Sequence, residues 1–169
     1  CRTRMSVADD KRTMRRAMLE RRKGLSGMFR SKADADINAA LASLPELDGS
    51  LRLAAYVSDG TEPDLTMFIA RSLRNGKRVF LPRSSRINGE LVYGLAELRD
   101  PDRELRRGAY GIMEPDSALR EADAEERREM VWLVPGVAFD ARGGRLGRGK
   151  GFYDRLLECG DGIRIGIFY

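Results

Sequence analysis

Five glycines fall within nine positions, Gly143, Gly144, Gly147, Gly149 and Gly151, and Arg145, Arg148 and Lys150 stand between them. Residues without a Cβ let successive backbone N–H groups turn toward one concave point, a geometry that suits an anion. The interleaved cations add fixed positive charge where a phosphoryl group in transfer needs stabilising. Asp154 follows closely and offers a hard oxygen ligand that can hold Mg2+ against phosphates. Phe152 and Tyr153 present flat faces to a heterocycle, and a helix starting near Phe152 would aim its N-terminus at the same anion. Composition alone leaves a second reading open, a solvated surface loop with core aromatics beside it. The segment matches neither a GxxxxGK[ST] loop nor a GxGxxG dinucleotide turn in its proper context.

The chain has no histidine, which excludes a His-based zinc site, a Ser-His-Asp triad and a Cys-His pair. Chemistry therefore falls to carboxylates, Arg, Lys, Tyr and the backbone. Two cysteines, Cys1 and Cys159, cannot build a disulfide framework and point to a reducing compartment. No apolar run approaches the roughly 20 residues needed to cross a bilayer, and no apolar stretch of a secretory signal opens the chain. The expected location is the cytoplasm, with no membrane partner.

Residues 1–30 hold ten basic side chains against three acidic ones, a surplus of +7, while the rest of the chain carries −2. Such a field concentrates any anion, whether nucleic acid, a membrane surface or a phosphorylated small ligand, and the sign alone does not choose. Only five of the 31 basic residues are lysines, among them Lys11 and Lys150.

The elements that must position these groups follow from periodicity. Met14, Ala17, Met18 and Leu25 recur at helical spacing over 10–25, with Arg12, Arg15, Arg16, Arg22 and Lys23 on the other faces. Ser26 is an N-cap for a second helix that Pro45 closes. Leu51–Val57 reads as a strand, 63–75 as a helix ended by Asn75-Gly76, and Arg78–Pro82 as a strand parallel to the first. Glu90–Leu95 follows an Asn88-Gly89 turn as another strand. Residues 99–129 read as charged loop with one short helix. Met130–Pro135 is a fully apolar strand, a helix occupies 152–158, and Ile163–Phe168 is the last strand. Alternating strands and helices with fully apolar strand runs predict an α/β sheet covered on both faces, in one domain over 5–169.

The string PGVAFDARGGRLGRGKGFYDRLL, Pro135–Leu157, closely resembles the C-terminal signature of the 5-formyltetrahydrofolate cyclo-ligase family. The resemblance extends to Lys11-Arg12-Thr13-Met14-Arg15, to Tyr56-Val57-Ser58 with Glu62-Pro63-Asp64, to Gly76–Pro82 and to Gly111–Pro115, so it spans nearly the whole chain. It implies a three-layer α/β sandwich with a mostly parallel sheet, similar to ribose-5-phosphate isomerase and CoA-transferase-like proteins. It also implies ATP-dependent closure of 5-formyltetrahydrofolate to 5,10-methenyltetrahydrofolate.

Carried over residue by residue, the resemblance assigns ATP binding to Lys11, Arg12, Arg15, Arg145, Gly147, Arg148, Gly149, Lys150, Gly151, Phe152 and Tyr153. Substrate binding falls to Val57, Glu62, Arg148, Gly149, Lys150, Gly151 and Phe152, catalysis to Arg145, Arg148 and Lys150, and Mg2+ to Asp154. The expected partners are ATP and 5-formyltetrahydrofolate, with or without a polyglutamate tail, acting on a monomer. Read without the resemblance, Lys11 and Arg15 suit a solvated helix face, Glu62 a helix N-terminus, and Val57 plain core. Two departures stand out. The family continues past the last strand with a segment carrying a second acidic metal ligand, so Asp154 fills that site only in part. The family often has Thr directly after the Glu-x-acid triplet, where Leu65 stands here. The alternative functions are an ATP-binding paralogue with another substrate and a nucleic-acid module built on the first thirty residues, which hold only one aromatic, Phe29.

Overall fold

The computed structural model describes residues 7–108, 111–158 and 160–169. The thiols of Cys1 and Cys159 lie outside them. In chain order the elements are α1 (Val7–Lys23), α2 (Gly27–Ala42), α3 (Pro45–Asp48), β1 (Arg52–Ala54), α4 (Thr66–Arg74), β2 (Arg78–Ile87) and β3 (Glu90–Leu98). There follow α5 (Pro101–Glu104), β4 (Leu105–Arg107), β5 (Met113–Pro115), α6 (Ala124–Glu129), β6 (Val131–Pro135), β7 (Ala138–Phe139), β8 (Arg145–Leu146), α7 (Phe152–Leu157) and β9 (Arg164–Ile167).

Five strands form the central sheet in the order β3-β2-β1-β6-β9. β1 runs parallel to β2 and β6, and β6 parallel to β9, because each pair is joined by a crossover too long for a hairpin. β2 and β3 are antiparallel, joined by a turn in which Asn88 and Gly89 both take positive φ, 52° and 85°. Side chains alternate across the pleat and separate the core in two. Leu53, Val79, Leu81, Val131 and Leu133 face α2, α3 and α4, while Ala54, Phe80, Trp132 and Val134 face α7. The sheet is thus covered on both faces, as its uninterrupted apolar strands require.

Three local expectations are corrected. The apolar face expected of α1 is only partly covered: Met14 is 54% exposed, Ala17 is exposed and Met18 half-buried, and the helix's one buried residue is Arg22. Arg15 and Arg22 reach backbone carbonyls of the segments after β8 and β6, so cations share in its docking. Pro45 opens α3 at its first turn instead of simply closing α2, which ends at Ala42. The 99–129 stretch contains two short helices and the β4–β5 hairpin as well as loop, because its pairing is tertiary rather than periodic.

The charged residues of that stretch join a network under β2. Glu97 and Glu126, both nearly buried, are each bridged by Arg78 and Arg120 at 2.6–2.9 Å. Glu126 also closes a capping box with Asp123 at the start of α6. Hydrogen bonds from Arg78 to Glu97 and from Arg120 to Glu126 hold both carboxyls down at about 2, against an ordinary 4.5. A carboxylate whose folded value is depressed stabilises the fold above its unfolded value, and that contribution is lost as pH falls through the folded value. Thermal midpoints are expected to drop steeply between about pH 4.5 and pH 2. Glu126→Gln should lower stability at neutral pH by about 2 kcal/mol and flatten that acid limb; an unchanged limb would contradict the role.

Candidate active site

The parallel strands β1 and β6 deliver their carboxyl ends to one side of the sheet, the usual place for a ligand crevice in an open α/β fold. A cavity of about 580 Å³ opens there. The segment after β1 supplies Tyr56, Val57, Asp59 and Glu62, the turn after β6 supplies Gly136 and Val137, and β3 and β5 supply Tyr93 and Glu114. The remaining wall is the glycine segment from Arg145 to Asp154.

That segment is tied down at both ends. β7 and β8 pair antiparallel, and the Asp140 carboxylate accepts the N–H groups of Arg142 and Gly144, both at 2.8 Å. From α1, Arg15 donates through Nε to the Gly147 carbonyl at 2.7 Å. Gly149 has φ +87°, which strains any other residue, and a Cβ there would sit 3.1 Å from the Arg15 guanidinium carbon, so the side chain of Arg15 would have to give way. The N-terminal helix and the glycine loop, more than 130 residues apart in sequence, therefore meet at one wall.

Arg148 reaches across the cavity mouth. Its Nη2 lies 2.5 Å from Asp59 Oδ2 and 2.5 Å from Thr61 Oγ1, and its Nε 3.5 Å from Glu62 Oε1. Burial raises the Glu62 carboxyl above its ordinary value and Asp59 adds to the rise, while Arg148 and Arg22 oppose it. Glu62 is held in place because Ser58 donates to its carbonyl at 2.7 Å and Asp59 caps the turn through the Thr61 N–H at 2.9 Å.

Arg145 pairs with Asp154 at 2.5 Å and lies 5.5 Å from the Tyr153 ring centre. Phe152 meets Tyr93 edge to face at 4.4 Å and Tyr153 at 5.2 Å. Lys150 is exposed and lines the cavity between Gly149 and Gly151, both of positive φ. Val57 lines the cavity and also packs on the core beneath it.

The structure thus brings Val57, Glu62, Arg145, Gly147, Arg148, Gly149, Lys150, Gly151, Phe152, Tyr153 and Asp154 to one cavity, with Arg15 behind the loop. Lys11 and Arg12 do not line it. Both are exposed, and Arg12 is paired with Asp9 on the same helix. Sequence reasoning passed over Asp59, Tyr93 and Glu114, since a loop acid and two strand residues carry no local signal. It also passed over Arg22, although seven residues after Arg15 is two helical turns on the same face.

The chain can now be set beside known proteins. It is 33% identical to yeast (Saccharomyces cerevisiae) 5-formyltetrahydrofolate cyclo-ligase over 137 residues, 72% of this chain and 63% of that protein. It thus spans less than two thirds of the yeast relative. The enzyme of the same name from Mycolicibacterium smegmatis is 30% identical over 148 residues, 88% of this chain and 75% of that protein. The NMR structure of Aquifex aeolicus 5,10-methenyltetrahydrofolate synthetase superposes with a TM-score of 0.78 at 36% identity, over 94% of this chain and 77% of that one. The Mycoplasma pneumoniae 5,10-methenyltetrahydrofolate synthetase shares the fold at a TM-score of 0.62 and 24% identity, over 88% of this chain and 77% of that one. The family model matched by residues 7–165 takes in both α1 and the glycine loop, the two walls that Arg15 joins, and the chain belongs to the 5-formyltetrahydrofolate cyclo-ligase family.

Proposed function

We propose that the chain closes 5-formyltetrahydrofolate to 5,10-methenyltetrahydrofolate at the expense of ATP, which leaves as ADP and phosphate. The observation that carries this reading is a single cavity lined by both a cationic glycine wall and a half-buried carboxylate, Glu62, with the aromatic rings of Tyr93, Phe152 and Tyr153 in the same lining. In the reaction the N5-formyl oxygen attacks the γ-phosphorus, and the bond to the ADP oxygen breaks. N10 then attacks the activated formyl carbon, its proton departs, and the carbon–oxygen bond breaks to release phosphate.

Arg145, Arg148 and Lys150 surround the path of the transferring phosphoryl group and offset its charge. Arg15 acts behind them by fixing Gly147, and Lys11 is within the same helix for the outer phosphates, while Arg12 is engaged with Asp9. Glu62, as a carboxylate, accepts hydrogen bonds from pterin N–H groups and orients N5 toward the nucleotide. Val57 and Phe152 pack on the pterin. Two ligands held in register convert a bimolecular step into an effectively unimolecular one.

Asp154 suits a metal carried in by phosphates. Its side chain is 74% exposed at the cavity wall, and the described residues include no cluster of three or more candidate ligands. Mg2+ commonly takes one or two carboxylates plus substrate phosphates, so a lone acid fits. Bound there, Mg2+ would neutralise phosphate charge. Holding it there would require Arg145 to release Asp154, with which it is now paired. The low cysteine content supports the cytoplasm as the site of the reaction. Among the described residues no helix is long and apolar enough to cross a membrane.

The test is absorbance at the band of the methenyl product after mixing protein, 5-formyltetrahydrofolate, Mg2+ and ATP. A rise that needs ATP supports the reading. No rise, with tight ATP binding retained, would favour a paralogue acting on another substrate.

A further inference from the structure

Arg22 is only 4% exposed, although it belongs to a helix whose other described side chains are exposed or half-buried. Its Nη2 donates to the Gly136 carbonyl at 2.5 Å and lies 3.4 Å from the Val137 carbonyl. Both of those residues line the cavity. Its Nη1 is buried and has no hydrogen-bond partner among the described residues. A buried guanidinium proton without an acceptor costs stability, which calls for a role beyond joining two backbones.

The charges around it supply one. Arg22 and Glu62 each alter the other's titration, and the same group of charges includes Arg148, Asp59 and Tyr56. The charges that bear on Glu62 or feel it are Arg22 from α1, Arg148 from the glycine loop, 3.5 Å away, and Asp59, Tyr56 and Tyr153, which line the same cavity. Arg30 on α2 ties the two sides together, donating to the Arg22 carbonyl at 2.8 Å and the Gly60 carbonyl at 3.0 Å. Of the two cations near Glu62, Arg148 sits on the cavity mouth with a partly exposed side chain, while Arg22 is enclosed behind the wall. Only one of them can turn toward an anionic ligand.

We propose that Arg22 is a positioning residue of this pocket: from behind the wall it fixes the Gly136–Val137 backbone and acts as the standing counter-charge of Glu62, so that Arg148 can leave Glu62 for phosphate. The division of labour is specific. Arg148 serves whichever anion enters, and Arg22 keeps the pterin-binding carboxylate charged throughout. The part of this that concerns substrate rests on the cyclo-ligase reading, and the part that concerns Glu62 does not.

Two measurements on the full chain separate them. In the ligand-free protein, the Glu62 carboxyl is titrated by 13C NMR in wild type, Arg22→Met and Arg22→Lys. Arg22→Met is expected to raise its midpoint by about one unit, a tenfold change in proton affinity, while Arg22→Lys stays close to wild type. In steady state, Arg22→Met should raise KM for 5-formyltetrahydrofolate about tenfold, with KM for ATP within about twofold, and Arg22→Lys should recover most of the difference. A purely structural arginine would impair both substrates alike and leave Lys no better than Met. An unmoved Glu62 midpoint, or equal losses for the two substrates, overturns the proposal. Should Arg22→Met fail to fold, Arg22→Gln takes its place, and its Glu62 midpoint must rise by a similar amount, about tenfold in proton affinity. A wild-type protein silent with 5-formyltetrahydrofolate would sink the cyclo-ligase reading alone, and the NMR titration would still decide on Arg22.

Discussion

Arg148→Ala is expected to lower kcat/KM for ATP-dependent cyclisation by about 10²–10³-fold, the scale seen when one pre-placed donor to a developing charge is removed. Arg148 stands between two glycines at the cavity mouth and is bonded to Asp59, Thr61 and Glu62. It can therefore exchange a carboxylate for a phosphate at little net cost in lost contacts. Its removal has a second effect with a definite sign. Burial and Asp59 already hold the Glu62 carboxyl above its ordinary value, and Arg148 is the largest opposing influence. Without it the carboxyl rises further, and the pH at which Glu62 loses its proton moves up. The acid limb of kcat/KM for 5-formyltetrahydrofolate should shift to higher pH in Arg148→Ala, together with the drop in rate. Arg148→Lys keeps the charge but not the fork that reaches three partners, and should recover only part of the rate. Activity within threefold of wild type, with an unmoved acid limb, would remove Arg148 from the phosphoryl-transfer set.

Lys150→Ala is expected to reduce kcat by about 10²-fold or more, with KM for 5-formyltetrahydrofolate changed little. The backbone on either side is fixed by Gly149 and Gly151 in left-handed conformations, and Arg155 reaches the Lys150 carbonyl at 3.3 Å. The position of the Lys150 stem is therefore set by the loop rather than by core packing. An exposed lysine of this kind contributes little to folding, so the substitution should leave thermal stability within about 0.5 kcal/mol of wild type. Loss of rate without loss of stability separates a catalytic lysine from a structural one. Lys77 offers the contrast, since its Nζ caps three carbonyls, of Leu47, Asp48 and Ser50, and has no link to the cavity. Turnover within twofold of wild type would show that Lys150 only lines the site.

How much of this was legible beforehand differs by residue. The parallel β1–β2 and β6–β9 pairs follow from apolar runs separated by helical segments, and the β2–β3 hairpin from Asn88-Gly89, because these signals are local in the chain. The glycine loop with Arg145, Arg148, Lys150 and Asp154 was legible for the same reason: its chemistry is concentrated in one short segment. The strand lengths were not, as β2 continues to Ile87 only because β3 is there to pair with it.

The sequence by itself determined the chemistry available to this protein: no imidazole, five glycines among cations, one acid beside them, and a sheet that must be buried on both sides. Tertiary structure alone decided which charges serve the site and which hold the fold. Arg15 reaches Gly147 and Arg22 reaches Gly136, whereas Arg12, three residues before Arg15, faces solvent with Asp9. Arg78, Arg120, Glu97 and Glu126, drawn from four separate segments, close on one another beneath β2. Residue type and local spacing specify a side chain's charge and the face of the element that carries it. Whether that face meets solvent, a carbonyl or a carboxylate depends on chain crossings a hundred residues away, and an ion's energy is set by that surrounding.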